Sequence, residues 1–355
     1  MSKRRILTGL LAVVILLTAS SCGVSGTEDS SLPTLPTVPE PSTAPTEPPR
    51  QLGYNALTGE NDMETNNNRP VGIVITDESS TTSQLNLEAA DMYFEAETEG
   101  GIPRILAIFS GVDRVPDVIG PVRSARPHFV KFAKALDCIY CHIGGSQTGL
   151  ETIKELGVCD IGNIAEKSAV LKATQNYSWN TSVFQKSKLI SAAQKRGYSL
   201  TSSYSAPFQF GERQGTDPAM TLEVKISENY TMAFTYSTNT FKYYKHRNAL
   251  SSEVHKTYTG GLIGVSNVIV MFDNRTFDAI YTSHSGKQAN RYNFDLKSGE
   301  GLLASGGTCR PIRWSCSTSH LAYYESDGVT PLTVEPGKTF VCLASDTLKS
   351  RTKYY

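Results

Sequence analysis

Residues 92–111 read MYFEAETEGGIPRILAIFSG. Two runs rich in aromatic and aliphatic residues flank Glu99-Gly100-Gly101, and the two glycines mark a tight turn between two strands. Upstream, RPVGIVITD (69–77) is a Val- and Ile-rich run that stops at Asp77, the pattern of a buried strand. Between these strands, the start of LNLEAADMYF (85–94) has the character of a short helix. Downstream, IGPVRSARPHF (119–129) leads into apolar residues at 129, 132, 133 and 136, a helical spacing. DCIYCHIGGS (137–146) is a further strand ending in a glycine turn. GLETIKELGV (149–158) reads as a helix with Gly157 at its C-cap, and SKLISAAQKRGY (187–198) as another stopped by Gly197. Strands alternating with helices predict an α/β N-terminal domain with a mixed sheet over residues 51–205.

Residues 200–224 lack periodicity and carry the expected boundary. From residue 221 onward, TLEVKISENYTMAFTYSTNTFKYYKH (221–246) and GVSNVIVMFDNRTFDAIYT (264–282) alternate apolar and polar residues between polar turns. Asp327-Gly328 and Pro336-Gly337 are tight-turn signals between later apolar runs. A β-rich (α+β) C-terminal domain is expected over 220–347.

The chain has 355 residues, 39% of them apolar and 19% charged, with no net charge. That is globular composition with length for two domains. The neutral balance argues against a nucleic-acid partner, which calls for a basic face. The N-terminus stands apart from the fold. Lys3, Arg4 and Arg5 precede an apolar stretch from Ile6 to Leu17, shorter than the ~20 residues a membrane span needs, and TASSC (18–22) follows. Residues 1–21 read as a signal peptide. A cysteine directly after small residues resembles the bacterial lipobox, with Ala19 where Leu is commoner. On that reading Cys22 becomes the diacylglyceryl- and palmitate-bearing N-terminus, and the membrane is a partner through this anchor. One such anchor holds a protein at the surface without spanning it. Residues 22–50 form a Pro/Ser/Thr-rich linker, with seven prolines between residues 24 and 50, unable to bury a core. At ~3.1 Å per residue it spans up to ~80 Å.

ALTGE (56–60), EGGIPRILAIFS (99–110), IGPVRSARPHF, CHIGGS (141–146), NVIVMF (267–272) and VEPGKTFVCL (334–343) together resemble the YerB-like lipoprotein family, in order and spacing over most of residues 55–343. The resemblance implies an extracytoplasmic lipoprotein of the bacterial cell envelope with two consecutive domains of unknown function. It implies no reaction. Ala56 stands where the family has proline, and Cys138 and Cys141 replace its small or apolar strand residues.

Several segments carry chemistry. CIYCH (138–142) has the letters of a haem-attachment motif. A strand sends residues three apart to opposite faces, so the pair is expected as core residues and no cofactor is implied. Six cysteines follow Cys22, and Cys309 and Cys316 are near enough in sequence to pair. No cysteine spacing calls for a metal. Glu95, Glu97 and Glu99 share one face of a regular strand, either as a solvated face or as an acid, base or cation site. Glu95 or Glu99 is expected to orient at least one arginine, among Arg104, Arg123 and Arg126, by a bidentate contact. Arg123 and Arg126 are the stronger ligand candidates, because a guanidinium presents a planar fork to phosphate or carboxylate. CHIGGS repeats the strand-then-turn arrangement, placing His142 and Ser146 at the next strand end. These elements predict an anion-binding cleft lined by Arg123, Arg126, His142, Ser146, Arg104 and Glu95 or Glu99. The alternative is that the glycines only permit turns and Ser146 only caps a helix.

The function expected is binding or scaffolding, with a cell-wall component or wall-assembly protein as partner. An enzyme is the other class. The order of elements loosely resembles the LytR-CpsA-Psr transferases, which act on a lipid-linked pyrophosphate, and Ser146 with His142 would serve a hydrolase. The leader gives a direct test. Cys22→Ser should move the chain from the membrane fraction to the soluble extracytoplasmic fraction; retention of the variant on membranes would refute the anchor.

Overall fold

The computed structural model describes residues 52–77, 84–167, 181–212, 215–250, 253–282, 286 and 288–355. The leader, Cys22 and the linker lie outside the described residues. The hairpin expected around Glu99 forms as read: β1 (Val71–Thr76), β2 (Met92–Glu97) and β3 (Pro103–Phe109) are antiparallel neighbours, with β3 in the middle. The short helix before β2 is a 3-10 turn at Leu87–Ala89. Glu99–Gly101 is a second 3-10 turn, with Gly100 and Gly101 at φ +67° and +74°. A side chain at Gly101 would meet the Ser227 hydroxyl at 2.5 Å, so the turn needs glycine for both backbone and space.

The mixed character comes from what joins this hairpin. β4 (Ile139–His142) runs parallel to β1, and β5 (Cys159–Gly162) parallel to β4. The crossovers are helical. α1 (Pro127–Ala135) starts with proline at its first turn, where a missing N–H costs nothing. α2 (Gln147–Leu156) ends on Gly157 in the left-handed conformation, as expected. α3 (Lys186–Lys195) ends just before Gly197.

The C-terminal half is nearly all strand. β6 (Thr221–Ser227), β7 (Tyr230–Ser237) and β8 (Lys242–Lys245) form the body of a five-stranded sheet. β9 (Asn267–Asp273) is followed by a two-stranded arm, β10 (Arg275–Thr282) with β11 (Gln288–Phe294). β12 (Ser298–Ser305), β13 (Thr308–Cys316), β14 (Leu321–Glu325) and β15 (Thr339–Ser345) complete the chain's larger strands.

The two halves share one sheet. β15 lies parallel to both β9 and β2, so the order β13-β12-β9-β15-β2-β3-β1-β4-β5 runs through both segments within an eleven-stranded sheet. All seven residues of β15 are buried, which is why TFVCLAS reads as a continuous apolar run. One face of this sheet carries the five-stranded sheet. There Tyr93 stacks on Phe340 at 5.3 Å, and Phe340 meets Phe234 edge-on at 5.1 Å. The other face carries α1, with Phe94 stacked on Phe132 at 3.9 Å and edge-on to Phe129 at 5.7 Å. Phe129, Phe132, Ala133 and Leu136, the four positions read as one helical face, are all buried there.

The cysteines are packing residues. Cys138 and Cys141 fall in the cores on opposite faces of the sheet. The pairing considered for Cys309 and Cys316 does not occur. Both lie on β13, seven residues apart along one extended strand, and Cys138, Cys141, Cys159, Cys309, Cys316 and Cys342 are all free thiols.

Phe340 joins the two sheets through two aromatic contacts while its strand joins the two halves. Phe340→Ala should therefore cost about 3–5 kcal/mol in denaturant unfolding, the range for a buried aromatic truncation. Both halves should still unfold in one transition, followed by tyrosine fluorescence and far-UV dichroism; two separate transitions would refute the shared core.

Candidate functional site

Strand alternation divides the expected site in two. Tyr93, Glu95 and Glu97 point to the face covered by the five-stranded sheet, whereas Phe94 and Ala96 point to the α1 face. Arg104 pairs in register with Ala96 and shares its side. Glu95 therefore does not meet the arginines. Glu97 shares its face as expected and binds Arg275 at 2.6 Å. Glu99 leaves that face, because the 3-10 turn ends the alternation and swings its carboxylate towards Arg104 and Arg126.

Around Glu99 the predicted arginines do assemble. Arg126 Nε donates to Glu99 Oε1 at 2.5 Å, and its Nη2 pairs with the same oxygen. Arg104 Nη2 reaches Glu99 Oε2 at 3.3 Å, while its Nη1 donates to the Ser124 carbonyl at 3.0 Å. A third guanidinium arrives from the β10–β11 arm: Arg291 Nη1 lies 3.8 Å from Glu99 Oε1 and its Nε 2.5 Å from Asp278 Oδ2. Thr148, in the first turn of α2, donates to the same Asp278 oxygen at 3.2 Å. Arg123 is buried next to this group, with its backbone N–H bonded to Val74 and Nη1 3.5 Å from the Val122 carbonyl.

The two strand-end segments lie side by side. Ala125 N–H donates to Gly144, Ile143 N–H to Arg123 and Ser146 N–H to Ala125. Ser146 Oγ caps α2 by accepting from Gly149 N–H at 3.0 Å. The His142 ring bridges the Gly144 carbonyl at 2.6 Å and Asp160 at 2.8 Å. Ser146 and His142 thus have separate partners and share no hydrogen bond.

Charge is unevenly matched here. Burial raises the Glu99 carboxyl, but Arg104 and Arg126 together outweigh it and hold the group below its ordinary value. Arg104 is pushed down to about 9, by burial first and then by Arg126, with Glu99 opposing and Arg123 adding to the effect. Next to it sit polar groups with no hydrogen-bond partner among the described residues: both ring nitrogens of His128 and the Tyr140 hydroxyl, each side chain fully buried. His128 packs against Phe129 and Phe294; burial, Arg126 and Lys131 keep its ring neutral. The sequence reading missed His128, Arg291 and Asp278. His128 stood inside the quoted IGPVRSARPHF, but its helical phase alone gives no sign that the ring lacks partners. Arg291 and Asp278 lie more than 140 residues from Arg126 or Glu99, and only the arm brings them in.

Glu95 sits on the other face in a second buried cluster, also missed. Asp77 pairs with Lys245 at 2.7 Å, Lys245 lies 3.6 Å from Glu95, and His255 lies 3.5 Å from Asp77. Tyr230 and Gln84 donate to Asp77 at 2.9 and 3.0 Å. Among the described residues no group of His, Cys, Asp and Glu side chains is arranged to hold a metal ion, and no helix is long and apolar enough to cross a membrane.

The described residues thus form a mixed sheet shared by an α/β segment and a β-rich segment, with an arginine-bearing turn beside a Gly-Gly turn. Residues 57–199 match the N-terminal domain, and residues 222–341 the C-terminal domain, of the family described as protein of unknown function DUF3048, and the chain belongs to it. It is 28% identical over 301 residues to "Putative lipoprotein YerB" of Bacillus subtilis (strain 168), covering 82% of this chain and 86% of that protein. The crystal structure of YerB protein from Bacillus subtilis shares the fold: TM-score 0.66 at 22% identity, over 82% of this chain and 96% of that one.

Because Glu99 has a depressed folded value, its stabilisation is complete above the ordinary 4.5 and is lost as pH falls through the lower folded value. Glu99→Gln should thus be less stable than the parent at pH 7, with the gap narrowing at pH ~3. Denaturant melts at the two pH values measure this; a gap that widens in acid would refute the assignment.

Proposed function

We propose that this chain is a lipid-anchored extracytoplasmic protein of the bacterial cell envelope that binds an anionic group at the Glu99 arginine cluster. Kinship with a protein named as a lipoprotein, together with the Cys22 lipobox and its linker, supports the anchor. The outer face of the cytoplasmic membrane is the compartment such a leader specifies.

One observation carries the binding reading: a single carboxylate, Glu99, serves three guanidiniums, the buried Arg126 and the largely buried Arg104 and Arg291, with Asp278 the only other carboxylate engaging them among the described contacts. Buried cations in excess of anions are costly unless another negative charge joins them. Guanidinium forks suit phosphate or carboxylate, and α1 and α2 begin at this place, adding the partial positive charge of two helix N-termini. An anionic wall component or an acidic segment of a wall-assembly protein carries the matching group. Arg104, Arg123, Arg126, His142 and Ser146 belong to this centre or its frame; Glu95 does not. A binding or scaffolding role follows more directly than catalysis, because Ser146 is engaged in capping and His142 in bridging Asp160.

Inorganic phosphate is the probe. Calorimetric titration of the detergent-solubilised full chain should give saturable binding. Arg291→Gln should weaken it about tenfold or more, equivalent to about 1.4 kcal/mol. Glu99→Gln, which removes the competing carboxylate and keeps the shape, should tighten it. Absence of binding by the parent chain, or indifference to both substitutions, would leave the arginines as architecture alone.

A further inference from the structure

The second cluster has a different chemistry. Lys245 ends β8, Asp77 directly follows β1, and Glu95 lies within β2, so one amine and two carboxyls meet between the two sheets. Lys245 and Glu95 are 0% exposed and Asp77 is 1%. Their strand neighbours in register, Phe234 for Lys245 and Ile105 and Cys342 for Glu95, are fully buried too. Both Glu95 oxygens lack a partner at hydrogen-bond distance among the described residues. An ion pair held only for stability gains little in such a place, since desolvation offsets the attraction. A nucleophile touching an electrophile beside a proton donor is also the arrangement for bond formation.

We propose that Lys245 and Asp77 form an intramolecular amide, a covalent cross-link made by the folded chain itself, with Glu95 as the proton shuttle. The step balances without any co-reactant. Lys245 Nζ, 2.7 Å from Asp77 Oδ2, passes a proton to that oxygen, leaving a neutral amine and a carboxylic acid. The Nζ lone pair attacks Asp77 Cγ, and the new C–N bond puts negative charge on Oδ1. Gln84 Nε2, 3.0 Å from Oδ1, donates to that charge. Glu95 gives its proton to the departing Oδ2 hydroxyl and takes one from nitrogen. The C–Oδ2 bond breaks, one water leaves, and no group is oxidised or reduced.

The surroundings fit each role. Burial pushes the Glu95 carboxyl well above its ordinary value, with Lys245 opposing the shift and the adjacent Asp77 adding to it, which favours the protonated form its role needs. Asp77 holds the Lys245 ammonium charged in spite of burial, so the reactive pair is one proton transfer from its resting form. Tyr230 donates to Oδ2 at 2.9 Å and orients the leaving oxygen. His255 faces Oδ1 from 3.5 Å and is pushed down to about 3, chiefly by burial, so it stays neutral and adds no competing charge. Its other ring nitrogen meets the Gln84 amide oxygen at 2.7 Å, which fixes the amide with its NH2 towards Asp77.

The bond would tie residues 168 apart, one in each half of the chain. Closing so long a loop in the unfolded state favours the folded one. Cys138, Cys141, Cys159, Cys309, Cys316 and Cys342 leave that task undone, since all are free thiols.

Mass spectrometry on the full chain, purified, denatured and digested, decides the matter. The expected product is a branched peptide joining the Asp77 and Lys245 segments, lighter by about 18 Da, one water, than the two peptides together. Recovery of both as unmodified linear peptides, or a branch between other residues, overturns the proposal. Lys245→Met and Glu95→Gln should each yield only linear peptides. Branching in Glu95→Gln to the parent's extent would overturn the role given to Glu95.

Discussion

The parallel pairing of Thr339–Ser345 with Met92–Glu97 is the constraint on which the rest depends. It sets Phe94 opposite Val341 and Glu95 opposite Cys342, and so joins a strand from the start of the folded chain to one near its end. Without it, the sheet would end at Met92–Glu97 on one side and at Asn267–Asp273 on the other, each exposing an edge. With it, one sheet runs through both halves, and each half lends the other a face to pack on. The stacked Tyr93 and Phe340 and the edge-on Phe234 follow from that register.

Alternation along Met92–Glu97 then places the polar chemistry. Two glutamates point into the interface between sheets, where Glu95 meets Asp77 and Lys245. A two-glycine turn releases Glu99 to the opposite face, where it gathers Arg104, Arg126 and Arg291. A few residues thus supply two buried centres of different balance. The one around Glu99 holds more cations than anions, the imbalance on which the proposed anion binding rests. The one around Glu95 holds an amine paired with one carboxyl at 2.7 Å and a second carboxyl 3.6 Å away.

Much of the fold was legible locally. The period of two in residues 221–246, the glycines at 100 and 101, Gly157 and Gly197, and the apolar spacing of Phe129, Phe132, Ala133 and Leu136 report backbone geometry within a few residues of themselves. Ser146 capping α2 was legible in the same way, and the strand reading of CIYCH separated its two cysteines onto opposite faces. The site was legible only in part. Arg104, Arg126 and Glu99 lie within a window short enough for a turn to bring them together. Glu95 was grouped with them because a strand reading extended through residue 99, whereas the 3-10 turn stops the alternation after Glu97.

The sequence by itself determined most of the strands, the helices and their ends, because those depend on side-chain periodicity and on residues with special backbone freedom. It also determined that guanidiniums and a carboxylate would cluster at one strand end. Only the tertiary structure decided that the two halves share a sheet, that Arg291 and Asp278 complete the arginine centre, and that Lys245 reaches Asp77 and Glu95. Such pairings join residues more than 100 positions apart. Their partners are selected by the register and facing of whole sheets, and no local pattern in the chain records that choice.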